Sequence, residues 1–337
     1  MVTKHSWPDN LRIIATVSMV LLHVTSPILY KFGEVTVSVW HIANIIDSSV
    51  RFCVPVFVML SGALLLGKEY PIREFLKKRV LRVLLPFIFY SFVYIGYDIM
   101  KRPINLDLIV FIWNKVAHGA AYHLWYIYMI VGLYLFIPVI GRWVRASTKK
   151  EISYFLLIWL GTMAVSHPWL SKYKPNFDLS YFSGFLGYLI LGYYLSLFKS
   201  SESWKVLYSV LLIVSGIGIT VGGTFLYSRH KGDLDTLFYG FLTPNVFLIA
   251  VGVFMLINDF EFEGLFIERM RIFLCRYSFG IYLIHVLVLG EMAKAGLNCF
   301  FVHPAIGIPL TTVVCLAVSG SIVFIISKVP GGKYVSG

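Results

Sequence analysis

A histidine and an arginine interrupt the first apolar stretch of this chain. The segment LRIIATVSMVLLHVTSPILY, residues 11–30, carries Arg12 at its start and His23 near its middle. An α-helix turns through about 1100° and rises roughly 16 Å between these two positions, so their side chains share one face. A buried imidazole can accept a proton, and ionisable groups at membrane depth usually face a cavity. We therefore predict a functional pair; the alternative is a snorkelling arginine and a histidine that only packs.

A second cationic group lies in PIREFLKKRVLRVLLPF, residues 71–87. Arg79 and Arg82 are three residues apart, which places them on the same side of a helix. Two planar guanidinium groups at a membrane edge suit an anionic cofactor. The general preference for cationic residues on the cytoplasmic side would also place them there, and this alternative stays open.

Further ionisable residues lie within later apolar stretches. Asp47 and Arg51 are four residues apart, so an ion pair along the helix would lower the cost of burying both. That pair is either structural or part of a polar cavity in the outer half of the membrane. His123, at the start of the fourth span, and His285, within the ninth, suit either packing or ligand binding.

The composition indicates that membrane lipid surrounds most of this chain. Of 337 residues, 58% are hydrophobic and 14% are charged, and the mean hydropathy is +0.79. A water-facing surface needs more charge than this. We predict an all-α, polytopic integral membrane protein with a single domain over residues 1–337, no soluble appended domain and no signal peptide. The four scattered cysteines are interpreted as small buried hydrophobic residues, not as disulfides or metal ligands.

Ten transmembrane helices are predicted from the apolar runs. They lie near residues 11–30, 42–66, 83–100, 122–142, 152–170, 180–198, 204–227, 237–257, 272–293 and 305–327. The run at 106–120 is too short to span and is predicted to be interfacial or re-entrant. Ser61 and Gly62 are predicted to let another group approach the backbone closely, and GFLGYLILGYYLS, residues 184–196, is predicted to be a packing surface.

Lysine and arginine residues in the loops predict the orientation. With the N-terminus in the cytoplasm, nineteen of them lie on the cytoplasmic side and nine outside, and Arg51 remains inside a span. This asymmetry predicts that both termini are cytoplasmic. It also accounts for part of the formal charge of +12, which therefore does not indicate nucleic-acid binding.

Five motifs together resemble the membrane acyltransferase-3 family. They are DNLRIIATVSMVLLH at 9–23, PVFVMLSGALL at 55–65, R-x-x-R at Arg79 and Arg82, HLWYIY at 123–128 and YSFGIYLIH at 277–285. They occur in the family's order and on the corresponding spans, so the resemblance covers essentially the whole chain. The W-x-DNLR start and the length are most similar to the enterobacterial common antigen O-acetyltransferase branch.

The resemblance implies a multi-pass O-acyltransferase of the bacterial inner membrane. Such an enzyme transfers an acetyl or other acyl group from cytoplasmic acetyl-CoA to a hydroxyl of an extracytoplasmic or lipid-linked glycan, without a metal. It implies that His23 and Arg12 are catalytic and that Arg79 and Arg82 bind the CoA phosphates.

Two questions stay open at this point. His23 would act either as a general base towards the acceptor or as a nucleophile that carries the acyl group. The rival function is a secondary transporter of a small polar or anionic solute, whose path the buried charges would line. The acceptor, the acyl group and the oligomeric state do not follow from the sequence.

The predicted orientation can be tested with reporter fusions. Fusions within residues 68–82 and at both termini should report the cytoplasm, and fusions within 31–41 and 171–178 should report the outside, because of the excess of cationic residues on one side. An external C-terminus would mean that the number of spans is odd and the predicted set of helices is wrong.

Overall fold

The computed structural model describes residues 7–101, 108–167, 184–198, 203–258, 260 and 264–336. These residues form α-helices and short 3₁₀ turns, and no strand occurs among them. The helices are α1 (Trp7–Leu29), α2 (Val37–Val50), α3 (Cys53–Leu65), α4 (Ile72–Ile99), α5 (Leu108–His118), α6 (Trp125–Ala146), α7 (Lys149–Val165), α8 (Leu186–Ser196), α9 (Ser203–Lys231), α10 (Pro244–Ile257), α11 (Leu265–Lys294) and α12 (Pro304–Lys328). The 3₁₀ turns are Tyr122–Leu124, Leu237–Tyr239 and Gly332–Tyr334.

Eight helical segments of the described chain are long and apolar enough to cross a membrane. They are Trp7–Leu29, Val37–Leu65, Ile72–Ile99, Tyr122–Ala146, Trp204–Lys231, Leu237–Ile257, Ile267–Lys294 and Pro304–Lys328, and each overlaps a predicted span. The predicted spans at 152–170 and 180–198 correspond to α7, with 17 residues, and α8, with 11, while residues 168–183 lie outside the described part. The all-α, polytopic fold is confirmed, whereas the count of ten and the cytoplasmic termini stay predictions.

The predicted short helix after the third span is present as α5. Its 11 residues rise about 16 Å, which is too little to cross the hydrocarbon core. Lys115 attaches α5 to the end of α4, because its Nζ lies 2.8 Å from Asp98 Oδ2. The short length is therefore confirmed, and the interfacial or re-entrant position stays a prediction.

The second span is interrupted between α2 and α3, at Arg51 and Phe52. Pro55 has no N–H group, so it cannot donate the usual helical hydrogen bond to the carbonyl of Arg51. Regular bonding resumes one residue later, where Val56 N donates to Phe52 O at 2.9 Å. The missing hydrogen bond at Pro55 therefore accounts for the end of α2 at Val50, just before Arg51 and inside the bundle.

Helix α1 lies at the centre of the bundle and packs against α2, α3, α10, α11 and α12. Large apolar side chains on the peripheral α9, such as Leu207, Leu211 and Val214, are exposed, as expected for a surface that faces lipid. The cysteines are free thiols; those at 53, 299 and 315 are buried as predicted, and the one at 275 is half-buried. The helix that carries Arg12 and His23 is thus enclosed by protein.

Contacts between helix ends define the two faces of the bundle. At one end the Cys275 thiol lies 3.4 Å from the carbonyl oxygen of Asp9, so the start of α1 meets α11. At the opposite end Trp40 Nε1 donates to Leu29 O at 3.1 Å, so the end of α1 meets the start of α2. We call these the Arg12 face and the Tyr30 face.

Two glycines allow α3 and α8 to cross with their backbones in contact. A methyl group on Gly62 would overlap the carbonyl oxygen of Leu189, and one on Gly192 would overlap that of Met59. Small residues at such crossings permit close packing of membrane helices. The close approach predicted at Ser61 and Gly62 is confirmed at Gly62, and residues 184–196 are a packing surface as predicted.

Replacing either glycine of this crossing should destabilise the protein. In Gly62→Ala and Gly192→Ala the added methyl group must push two backbones apart, which costs about 1–3 kcal/mol for overpacking of this kind. Thermal unfolding of the purified protein in detergent would measure the loss. Gly132→Ala on α6 is the matched control, because its methyl group meets no atom within 4 Å. Equal unfolding temperatures for Gly62→Ala and Gly132→Ala would show that the crossing is not tight.

Candidate active site

A cavity of about 780 Å³ lies alongside α1. The lining residues that come from α1 and the residue after it extend from Arg12 to Tyr30, a rise of about 27 Å along the helix axis. The other walls come from α3, α4, α6, α11 and the segments that join them. Arg12, His23, Arg79 and Arg82, the four residues predicted from the sequence, all line this one cavity.

Cationic side chains gather around the cavity at the Arg12 face. They are Arg12, Lys68, Arg79, Arg82 and Arg276. Arg12 has an acidic partner, since its Nη1 lies 3.3 Å from Asp9 Oδ1. Within the described ranges, no carboxylate lies within salt-bridge distance of the other four. Unpaired positive charge in a partly enclosed space attracts an anion, so this end of the cavity is suited to a negatively charged ligand.

Lys68 and Arg276 were not among the predicted site residues. In the sequence they count equally well as cationic residues that orient the protein in the membrane. Arg276 directly precedes the motif YSFGIYLIH, and this adjacency is a signal that could have identified it. Lys68 follows α3 without a comparable signal.

His23 belongs to a group of three imidazole rings. Its ring centroid lies 5.0 Å from that of His285 and 6.4 Å from that of His123, and the latter two are 5.1 Å apart. The rings come from α1, α11 and the 3₁₀ turn before α6. Tyr122 Oη lies 3.2 Å from His23 Nδ1, while His23 Nε2 has no hydrogen-bond partner in the described part of the chain. The structure thus places both histidines of undecided role beside His23.

Hydrogen bonds indicate which nitrogen of each neighbouring ring carries the hydrogen. His285 Nδ1 lies 2.7 Å from Tyr282 O, and His123 Nε2 lies 3.4 Å from Leu283 O. A carbonyl oxygen only accepts, so these two nitrogens donate. The opposite nitrogens, His285 Nε2 and His123 Nδ1, are buried and have no partner among the described residues. In the neutral rings each therefore carries a lone pair that can accept a hydrogen bond from a neighbour.

The predicted ion pair of the second span is present. Arg51 Nη2 and Nε both lie 2.6 Å from Asp47 Oδ2. Asp47 is fully buried, and the side chain of Arg51 is 14% exposed and lines the cavity. Thr25 Oγ1 lies 3.1 Å from Asp47 Oδ1, which ties the pair to α1 close to His23. The structural and the cavity-lining interpretations are therefore both correct, one for each partner.

The sequence matches a known domain over nearly its whole length. Residues 5–323 match the acyltransferase-3 family (Acyl_transf_3), described as an acyltransferase domain. Over 292 residues the chain is 22% identical to a protein of Bacillus subtilis (strain 168) named "Putative membrane-bound acyltransferase YfiQ", with 82% of this chain and 78% of that protein covered. No solved structure matches. The chain is therefore a multi-pass membrane acyltransferase that belongs to the acyltransferase-3 family.

Proposed function

We propose that this enzyme transfers an acetyl group from cytoplasmic acetyl-CoA to a hydroxyl of an extracytoplasmic or lipid-linked glycan at the bacterial inner membrane. One observation carries the proposal: a single cavity joins the cations at the Arg12 face to His23 and His123 and extends to Tyr30. An anionic donor and a neutral acceptor can therefore enter from opposite faces and meet at His23. The count of cationic loop residues supports a cytoplasmic Arg12 face.

The chemistry of CoA suits the cationic end of the cavity. Its phosphate groups are anionic, and a guanidinium group binds phosphate oxygens through two parallel hydrogen bonds. Arg79 and Arg82 would supply those bonds, with Lys68 and Arg276 adding charge around them. The reactive thioester lies at the end of a long flexible arm, which would bridge the roughly 16 Å between the levels of Arg12 and His23.

His23 has the position that a general base needs. Nε2 can accept a proton only if Nδ1 carries the hydrogen, and Tyr122 Oη is placed to accept that hydrogen. The acceptor's hydroxyl oxygen would attack the thioester carbonyl while its proton moves to Nε2, and the departing thiolate would then receive that proton. In the alternative route Nε2 itself attacks the thioester and an acyl-His23 forms first. Arg12, on the same face of α1, would hold the donor or balance its charge.

Aromatic side chains close to Arg51 support a sugar as acceptor. The rings of Trp125 and Phe241 are stacked, with centroids 5.8 Å apart and planes inclined by 25°, and both residues line the cavity. Such surfaces bind the apolar faces of sugar rings, while nearby polar groups set their orientation. The similarity of the N-terminal motif to the enterobacterial common antigen branch favours a glycan of that kind. No observation specifically favours the rival transporter.

His23→Ala should abolish acyl transfer and leave donor binding intact. General base catalysis contributes about 10²–10⁴-fold to a rate, so its loss should remove measurable transfer. The proposed phosphate-binding residues, Arg79 and Arg82, lie at the Arg12 face and not beside His23, so donor binding should persist. The measurement is release of the CoA thiol from acetyl-CoA in proteoliposomes supplied with a surface-glycan extract, with calorimetry for acetyl-CoA binding. His118→Ala is the control, because His118 lies on α5 and does not line the cavity. Wild-type glycan acylation by His23→Ala would refute the assignment.

Substitutions at Arg82 should weaken binding of acetyl-CoA. A hydrogen bond to a charged group contributes about 1.5–3 kcal/mol, so Arg82→Gln should reduce the affinity roughly ten- to a hundredfold. Arg82→Lys should recover only part of it, because the charge remains but the planar fork is lost. Calorimetry with acetyl-CoA on the purified Arg82→Gln and Arg82→Lys variants measures both affinities.

Arg73 offers the matched control for Arg82. It lies on the same helix, α4, but does not line the cavity, so Arg73→Gln should bind acetyl-CoA as the wild type does. If Arg82 only orients the helix in the membrane, Arg82→Lys would bind normally and Arg82→Gln would lower the amount of inserted protein instead of the affinity.

A further inference from the structure

Arg51 uses only part of its hydrogen-bonding capacity on the protein. A guanidinium group has five N–H donors. Nε and Nη2 each donate one to Asp47 Oδ2, and Nη1 donates one to Tyr239 O at 3.3 Å. Within the described ranges no other acceptor receives a hydrogen from Arg51. One N–H on each Nη atom therefore remains available to a ligand in the cavity that Arg51 lines.

These free donors lie at the depth of His23. Asp47 pairs with Arg51 through Oδ2, and its Oδ1 lies 3.1 Å from Thr25 Oγ1 on α1. Thr25 is two residues after His23, a rise of about 3 Å along the axis of α1. Arg51 and His23 both line the same cavity. The remaining cations of the described lining gather at the Arg12 face. Arg51 is therefore the positive charge that lies beside the proposed reaction centre.

The guanidinium group is fixed before any substrate binds. It lies 4.1 Å from the ring centroid of Tyr239, whose Oη in turn donates to Asn44 Oδ1 at 2.7 Å. Asp47, its ion-pair partner, is fully buried. A donor that is already fixed stabilises developing charge without the cost of reorienting during the reaction.

The nearby histidines cannot replace Arg51 in binding an anion. The free nitrogens of His123 and His285 carry lone pairs, and their N–H groups already donate to backbone carbonyls. A negative charge that develops near His23 therefore has one fixed, charged donor available among the described residues of this cluster.

We propose that Arg51 binds the oxyanion of the acyl transfer reaction, an inference that rests on the proposed function. When the acceptor's hydroxyl oxygen attacks, a C–O bond forms, the π electron pair of the thioester carbonyl moves onto its oxygen, and the hydroxyl proton passes to His23. The two free N–H groups of Arg51 bind that negatively charged oxygen. The carbonyl then re-forms, the C–S bond breaks, and the CoA thiolate leaves with the proton from His23. An acyl-His23 route produces the same oxyanion in each of its two steps.

The test removes the ion pair as a unit. Arg51→Gln alone would leave Asp47 as a buried, unpaired carboxylate and endanger folding. The double variant Asp47→Asn/Arg51→Gln removes both charges and keeps two side chains that can hydrogen-bond to each other. Loss of one oxyanion donor lowers kcat by about 10²–10³-fold, so we expect a fall of at least that size in thiol release at saturating acetyl-CoA and glycan extract. Calorimetry should show unchanged affinity for acetyl-CoA.

A second ion pair provides the matched control. Lys115 and Asp98 are 2.8 Å apart and do not line the cavity, so Asp98→Asn/Lys115→Gln should keep the wild-type rate. Arg51→Lys retains an ion pair with Asp47 but loses the fork, and its kcat should lie between those of the wild type and the double variant. If the double variant does not fold, Arg51→Lys decides: a wild-type kcat would overturn the proposal.

Three results for the folded double variant would also overturn it. A rate within a few-fold of the wild type would mean that Arg51 is only structural. Recovery of the wild-type rate at higher concentrations of glycan extract would assign Arg51 to binding the acceptor, and a lower affinity for acetyl-CoA would assign it to the donor. Thiol release by the wild-type protein that did not depend on glycan or on His23 would instead refute the proposed function itself.

Discussion

The cost of placing ionisable side chains at membrane depth organises this structure. His23 and Arg51 lie within the bundle, where lipid could not solvate them, and each has protein around it. Helix α1 is enclosed by five neighbouring helices, and Asp47 neutralises Arg51 at 2.6 Å. The imidazoles of His123 and His285 donate to backbone carbonyls of α11. The cavity beside α1 therefore contains ionisable side chains whose burial is compensated by packing, hydrogen bonds and ion pairing.

Charge is distributed unequally along that cavity. At the Arg12 face, Lys68, Arg79, Arg82 and Arg276 have no carboxylate partner among the described residues, whereas the one cation near His23 is paired with Asp47. An anion is thus attracted to one end, and a neutral group meets hydrogen-bonding partners further in. The chain belongs to a family of membrane acyltransferases, and the cationic end of the cavity is where the proposed anionic donor would bind.

Local periodicity predicted those features that depend on a single helix. Spacings of eleven, four and three residues correctly placed Arg12 with His23, Asp47 with Arg51, and Arg79 with Arg82. The gathering of His23, His123 and His285 could not be predicted, because it depends on how three distant segments pack. Lys68 and Arg276 were missed because the preference for cationic residues on the cytoplasmic side explains them equally well. The end of α2 at Val50, just before Arg51, follows from Pro55, a residue whose effect hydrophobic periodicity does not take into account.

The length of the cavity has a consequence for the electrical integrity of the membrane. A water-filled passage that followed α1 for about 27 Å would conduct ions and dissipate the membrane potential. Its lining opposes this, because the unpaired guanidinium groups of Arg79, Arg82 and Arg276 at the Arg12 face repel hydronium and metal cations, as a positive constriction does in selective pores. The same positive charges that would attract the proposed anionic donor thus act as an electrostatic barrier to cations, which helps a bilayer that contains this enzyme to remain insulating.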